Sequence, residues 1–137
     1  MAHEAKLKIK GHSTGYDVVE CEYEFEQSIN KNGQPAAIPS GGEIRFVVQT
    51  PDDGDLFFHE WMRSATEHKN GTIAFTVINL GQQSTRVMNF YHAYCVRLRE
   101  CIKEQDEQML TEITLNARTI SFGKEDEVVF GEEDDVK

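Results

Sequence analysis

The feature that most constrains the fold is an unbroken alternation of apolar and acidic residues from Val19 to Glu26. A period of two residues is typical of a β-strand with one buried face. The apolar positions, which we expect to face the core, are Val19, Cys21, Tyr23 and Phe25. The acidic positions, which we expect to face outward, are Glu20, Glu22, Glu24 and Glu26. This segment therefore predicts a protein built on strands.

A second alternating segment lies near the start of the chain, where Leu7 and Ile9 are flanked by Lys6, Lys8 and Lys10. If this strand and residues 19–26 form an antiparallel hairpin, the lysine row and the glutamate row lie side by side on the outer face. Opposite charges across neighbouring strands stabilise a sheet by about 0.2–1 kcal/mol for each pair. We therefore predict that the two rows share one face of adjacent strands.

Further strands are predicted over residues 43–49, 72–78, 86–100 and 109–122. In the third of these, the apolar residues in step are Met88, Phe90, Tyr94, Val96 and Leu98. In the fourth, the periodicity predicts an irregularity at residues 118–120, after Ile113, Leu115 and Ala117. One helix is predicted over residues 56–66, with Phe57, Trp61 and Ala65 on its apolar face. Six or more strands at this spacing indicate a barrel or a sandwich.

Two segments outside these elements are candidates for contact with another molecule. Residues 28–42 form a long loop whose centre, Pro35-Ala36-Ala37-Ile38-Pro39, is apolar, which favours docking over simple disorder. Residues 125–137 form an acidic tail with seven acids and one base, which we expect to be solvated and mobile. The triplet Val128-Val129-Phe130 interrupts the tail and either adds a strand, docks or frays. The expected organisation is thus a domain over residues 1–124 followed by this tail.

Composition excludes several classes of function. A net charge of −10 opposes binding to nucleic acid, because phosphates are repelled. No apolar run is long enough to cross a membrane, and the first residues lack the apolar stretch of a secretory signal. Three cysteines do not suggest a disulfide framework, so a reducing cytosol is the expected setting. We expect one domain that does not insert into membranes.

The motifs of catalysis and of metal or cofactor binding are missing. His59-Glu60-Trp61-Met62-Arg63 lacks the second histidine of a zinc-protease motif. There is no C-x-x-C pair and no glycine-rich phosphate loop. Cys21 and Cys95 lie in predicted strands among apolar neighbours, which indicates inert, buried thiols. We therefore assign no catalytic, cofactor-binding or metal-binding residue and predict a binding or structural role rather than an enzyme.

Several segments, in their order and spacing, resemble one family. They are Ala5–Ile9, Asn32–Pro35 followed by Gly41–Ile44, Leu56-Phe57 with Glu60-Trp61-Met62, Lys69–Phe75, Phe90–Val96 and Leu110–Arg118. Together they resemble the Hcp (TssD) tube proteins of type VI secretion systems, in the branch found in Bacteroidetes. Residues 102–108 and the acidic tail depart from the pattern of that family.

The resemblance implies a single β-barrel of two packed antiparallel sheets with one flanking α-helix. It also implies hexameric rings that stack into a hollow tube, which a contractile sheath drives outward with a spike and effectors, and which can chaperone effectors. Such a subunit is assembled in the cytoplasm and secreted without a signal peptide. The candidate subunit-contact residues are Pro35, Ala36, Ala37, Ile38, Pro39, Val128, Val129 and Phe130. The alternatives are a tail-tube subunit of a phage-like particle and a monomeric ligand-binding barrel.

Overall fold

The fold is described from a computed structural model of the chain, over residues 2–25, 29–35, 42–50, 54–101 and 109–136. Seven strands and one α-helix occur in these ranges, and a short 3-10 helix spans Glu133–Val136. The strands are β1 (Ala2–Ile9), β2 (Gly15–Tyr23), β3 (Gly42–Gln49), β4 (Lys69–Asn79), β5 (Gln82–Cys101), β6 (Leu110–Phe122) and β7 (Val128–Phe130). The α-helix, α1, spans Phe57–Met62.

All strand pairs are antiparallel, and the strand order is β3-β2-β1-β4-β5-β6-β7. A further pairing of β3 with β6, from Gly42 opposite Ala117 to Gln49 opposite Leu110, closes the first six strands into a barrel. β7 continues alongside β6 past the point where β3 begins. The predicted fold class, a mainly β barrel with a single flanking helix, is confirmed.

The helix covers the barrel interior with Phe58 and Trp61, which are both buried. Phe58 packs on Tyr16 of β2 and Phe46 of β3, and Trp61 packs on Phe58. The helix is shorter than the predicted 56–66, and Ala65 is exposed. The hydroxyl of Ser64 accepts hydrogen bonds from the backbone N–H groups of Thr66 and Glu67, and this local turn competes with continued helix.

Strand β2 contains an irregularity in its pairing with β3 between Val18 and Glu20. The extra residue, Val19, is turned outward and is 39% exposed, while Val18 takes its place in the core. The inward prediction for Val19 is therefore wrong, because a bulge shifts the alternation by one residue. Beyond the bulge, Cys21, Tyr23 and Phe25 pack against the core as predicted.

The lysine and glutamate rows both face outward, but they do not pair with each other. β1 meets β2 opposite residues 15–17, so Lys6 forms its ion pair with Asp17. The countercharge for Glu20 and Glu22 is Arg45 on β3, whose guanidinium lies 3.1 Å from the Glu20 carboxylate and 3.3 Å from that of Glu22. The outward parity was predicted correctly for the described residues, whereas the partner strand was not; Glu26 lies outside the described residues.

The alternation along β5 also changes face. Met88, Phe90 and Leu98 point into the barrel as predicted, but Tyr94 and Val96 are 38% and 48% exposed. His92 has a positive φ of 52°, and a second irregularity lies between Cys95 and Arg97. Each irregularity moves the inward face of the strand by one residue, and the second reverses the first. A uniform alternation therefore predicts the inward residues correctly at both ends of β5 but not in its middle. The partner strand β6 shows the irregularity predicted at residues 118–120, where the core face passes from Ala117 to Ile120.

Candidate functional site

Four aromatic rings fill one end of the barrel, and we call them the barrel-end cluster: Tyr23, Phe25, Phe122 and Phe130. Phe25 follows β2, Phe122 ends β6, and Phe130 ends β7. Tyr23 and Phe122 have ring centroids 5.4 Å apart, and Phe25 and Phe130 have centroids 3.9 Å apart. Aromatic contacts of this kind stabilise beyond their buried area, so the cluster fixes the chain segments that meet at this end.

The long loop between β2 and β3 leaves and returns at this same end of the barrel. It starts after Phe25 and ends at Gly42, which pairs with Ala117 of β6. β7 pairs with β6 a few residues further along, with Phe130 opposite Ile120. The two segments that the sequence predicted as contact surfaces therefore emerge beside each other, although they are far apart in the chain.

The predicted contact residues differ in their accessibility. Pro35 is exposed and forms an isolated bridge with Ile29, which is itself 71% exposed. Val128 is 52% exposed, and Val129 is half-buried. Phe130 is half-buried because it packs within its own subunit on Phe25. Ala36, Ala37, Ile38 and Pro39 lie outside the described residues, and the contact role of all eight stays a prediction.

Residues 123–136, which we call the C-terminal clasp, include β7, and the segments on either side of β7 contact polar side chains of β5 and β6. Asp126 anchors the first half of the clasp: its carboxylate accepts hydrogen bonds from the Tyr91 hydroxyl at 2.7 Å and from the Asn89 amide at 3.2 Å. The Ser121 hydroxyl donates to the same oxygen. Burial and the neighbouring Asp126 carboxylate raise the pKa of Tyr91 to about 12. The hydroxyl of Tyr91 is thus held in its neutral, donating form.

Asp135 anchors the second half of the clasp, and its side chain is 3% exposed. Its carboxylate accepts hydrogen bonds from Arg118 Nε at 2.9 Å and from the Thr119 hydroxyl at 2.6 Å. His92 Nε2 lies 3.3 Å away. The hydrogen bond from Arg118, with that from Thr119, lowers the pKa of Asp135 to about 2, so the carboxylate is charged throughout the physiological range.

The terminus therefore departs from the predicted solvated, mobile tail: its apolar triplet adds strand β7, one of the alternatives left open by the sequence. Gly131 makes the return possible, because its φ is 131° and a Cβ there would lie 2.7 Å from the Arg118 carbonyl oxygen. No feature of the sequence separates Asp126 and Asp135 from the five other acids of the tail. Their polar partners on β5 and β6 identify them, among them Tyr91 and Ser121 for Asp126 and Arg118 and Thr119 for Asp135.

The buried thiols and the helix histidine have surroundings typical of structural rather than catalytic groups. Burial raises the pKa of the Cys21 thiol to about 12 and that of Cys95 to about 11, in agreement with the prediction of inert thiols. His59 Nε2 contacts the Glu100 carboxylate at 2.6 Å. In the described ranges, no three His, Cys, Asp or Glu side chains are grouped so that they hold a metal ion. No helix in these ranges has the length and apolarity needed to cross a bilayer.

Comparisons with known proteins agree with this geometry. The family model of the hemolysin coregulated protein Hcp (TssD) matches residues 1–128. Hcp1 from Flavobacterium johnsoniae is 25% identical with a TM-score of 0.71, over 94% of this chain and 99% of that one. A comparison with curated protein sequences gave no match.

More distant structures share the fold. Hcp1 from Salmonella typhimurium is 12% identical with a TM-score of 0.67, over 89% of this chain and 86% of that one. A chain of the anti-feeding prophage baseplate is 11% identical with a TM-score of 0.51, over 88% of this chain and 91% of that one. The barrel is thus similar both to Hcp proteins and to a component of a phage-like particle.

Proposed function

We propose that this chain, which belongs to the Hcp (TssD) family and is a structural subunit of the type VI secretion inner tube, forms hexameric rings that stack on one another. The family match over residues 1–128 is the observation that carries the proposal. The family is one of structural tube proteins that form homo-oligomers and are secreted by type VI systems, so the chain is not an enzyme.

The contact between stacked rings, in this proposal, is made by the loop of residues 28–42 together with β7. A tube requires contacts in which one face of a subunit meets a different face of its neighbour. The two segments emerge together at one end of the barrel, and Ile29, Pro35 and Val128 expose apolar surface there. These features support Pro35–Pro39 and Val128–Phe130 as the contact residues.

The further partners in this proposal are a contractile sheath, a spike and effector proteins. The chain resides in the cytoplasm before the sheath contracts and leaves the cell through the secretion apparatus, with its N-terminus uncleaved. The mass of the protein recovered from the medium tests this route, since a cleaved signal peptide would shorten the chain.

Negative-stain microscopy of the purified protein tests the assembly. The expected result is rings with a central hole and six-fold class averages. A protein that elutes as a monomer from a size-exclusion column at every concentration would instead favour the ligand-binding barrel.

The likeness to the anti-feeding prophage baseplate favours the phage-like alternative as a second candidate. Secretion that persists after deletion of the host's type VI sheath gene would support that alternative.

We also propose that residues 1–124 form the barrel domain and that residues 125–137 are an appended tail, folded back as part of the C-terminal clasp. A chain that ends at Lys124 should then fold into the barrel with reduced stability. A truncated chain that fails to fold at all would show that the tail belongs to the domain.

A further inference from the structure

The barrel is closed, but the pairing of β1 with β2 covers only part of each strand. β1 pairs with β4 over its whole length, from Ala2 to Ile9, but its register with β2 covers Lys6, Leu7 and Lys8 alone. From Val18 to Tyr23, β2 pairs with β3 on its other edge. In the part of the chain that the structure describes, the facing edges of residues 2–5 and 18–23 thus lack a strand partner. Unpaired strand edges of this kind are sites for contact with another chain.

A cleft of about 470 Å³ lies beside this gap, between β2 and the hairpin formed by β4 and β5. Its lining is mainly apolar and carries one cation; the residues are Cys21, Tyr23, Phe75, Val77, Ser84, Thr85 and Arg86. Tyr23 also belongs to the barrel-end cluster, so the cleft opens at the same end of the barrel as the long loop.

The tip of the β4–β5 hairpin projects from that end and is unusually apolar. Leu80 is 96% exposed and Ile78 is 43% exposed. Leu80 and Gly81 form the turn with φ values of 53° and 79°, a geometry that favours Asn-Gly and disfavours leucine. In the isolated subunit, Leu80 therefore exposes an apolar side chain to water and also adopts a left-handed backbone conformation that leucine disfavours.

The part of the hairpin nearest its tip is also free of charge, although the chain as a whole carries −10. No charged residue occurs between Lys69 and Arg86. A segment without charge approaches another copy of an acidic protein without repulsion, and an apolar tip matches the apolar lining of the cleft.

We propose that Leu80 of one copy inserts into the cleft of the neighbouring copy in the same ring. Neighbours in a ring share one orientation, so the tip of one copy and the cleft of the next lie on the same side of the ring. Leu80 is three residues beyond the Val77–Ser84 pair that lines the cleft, so it reaches the cleft of the neighbour from the outer side of its rim. The contact is heterologous, as ring closure requires. The inference rests on the proposed ring assembly and assigns its lateral contact, separately from the stacking contact of residues 28–42.

Leu80→Asn is the most informative variant. Asparagine suits the left-handed turn but removes the apolar side chain, so the subunit should keep or raise its melting temperature while ring assembly weakens. Burial of a leucine corresponds to about tenfold or more in the concentration at half-assembly, measured by light scattering. The control is Leu56→Asn, an apolar residue that is 58% exposed on the segment before α1, and it should change assembly by less than about twofold.

Cross-linking places the contact directly. In a Cys21→Ser, Cys101→Ser background, one chain carries Leu80→Cys and a second carries Ser84→Cys in the cleft. After mixing and reassembly, a short bismaleimide should give covalent dimers that contain one chain of each kind, in excess over either chain alone.

The outcomes separate this inference from the proposed function. If wild-type protein forms rings but Leu80→Asn assembles equally well, or no mixed dimers form, the inference is wrong and the ring proposal stands. An equal loss for Leu56→Asn would also contradict it. If the wild-type protein never forms rings, the proposed function itself fails.

Discussion

Phe130 stacks on Phe25, with ring centroids 3.9 Å apart and ring planes inclined by 12°. The contact joins the last strand of the chain to the residue from which the long loop departs. The end of the chain thereby supports the start of a segment that we propose to contact the next ring. A change in one ring should therefore affect both the stability of the subunit and the position of the loop.

Phe130→Ala should destabilise the subunit by about 1–3 kcal/mol, less than for a fully buried phenylalanine because Phe130 is half-buried. Chemical denaturation measures the loss. Val128→Ala on the same strand is the control, and since Val128 is half-exposed its effect should be about 0.5 kcal/mol or less. Equal losses for the two variants would show that the stacked pair contributes nothing specific.

Trp61→Ala should cost about 3–5 kcal/mol of the free energy of unfolding. Trp61 is 1% exposed, packs on Phe57 and Phe58, and donates its indole N–H to the Glu67 carbonyl at 3.2 Å. The variant lacks the chain's single tryptophan and therefore its tryptophan fluorescence, so unfolding is followed by circular dichroism. Arg63→Ala, an exposed position next to α1, should change stability by no more than about 0.5 kcal/mol. A loss under about 1 kcal/mol for Trp61→Ala would contradict its role in the core.

Alternation predicted the strands well, because period-two patterns survive wherever a strand has one buried face. It failed at Val19, Tyr94 and Val96, which lie beside bulges or a left-handed residue. A bulge is set by the pairing partner and leaves no period of its own in the sequence. The partner of the glutamate row was missed for the same reason, since Arg45 becomes the neighbour only through the pairing of β2 with β3.

The C-terminal clasp illustrates a second limit. Seven acids in a short segment are typical of a solvated terminus, and their number gives no sign that two of them bind the barrel. The triplet Val128-Val129-Phe130 was the one usable signal, because its apolar residues need a surface to cover. The family resemblance identified the fold and function, whereas the details of the clasp lie where the chain departs from the family.

Asp135→Asn should lower stability at neutral pH, and the difference from wild type should disappear in acid. The pKa of Asp135 is lowered from 3.8 to about 2, so its carboxylate stabilises the fold above about pH 4. This stabilisation is lost as the pH falls toward 2, since protonation removes the charge that Arg118 binds. Hydrogen exchange of residues 128–136 for both proteins between pH 7 and pH 2 measures it. A difference that stays constant over this range would argue against the carboxylate as the anchor.

Gly71→Ala should destabilise by about 1–3 kcal/mol, because a Cβ there would lie 2.5 Å from Phe90 Cζ and 2.8 Å from the Lys8 carbonyl oxygen. Backbone and a core ring cannot both move away. Gly15→Ala is the matched control in β2, since its nearest neighbour would be 3.8 Å away. Thermal unfolding compares the two variants. An unchanged melting temperature for Gly71→Ala would show that the neighbouring strands move enough to accommodate the added methyl group.

Stacking of the proposed rings should depend on salt. Six copies carry a net charge of −60, six times the −10 of one chain, so rings repel one another. The Debye length falls from about 10 Å at 0.1 M salt to about 3 Å at 1 M, and stacking through an apolar loop should therefore increase with salt.

Ile38→Asp should impair stacking while the subunit stays folded, because an unpaired charge would be buried at the contact. Lys31→Asp, which alters the charge on the exposed turn of the same loop, should have the smaller effect. Light scattering across a salt series tests both parts. Wild-type assemblies that dissociate as salt rises would show that ion pairs hold the rings, and an Ile38→Asp variant that stacks normally would exclude this residue from the contact.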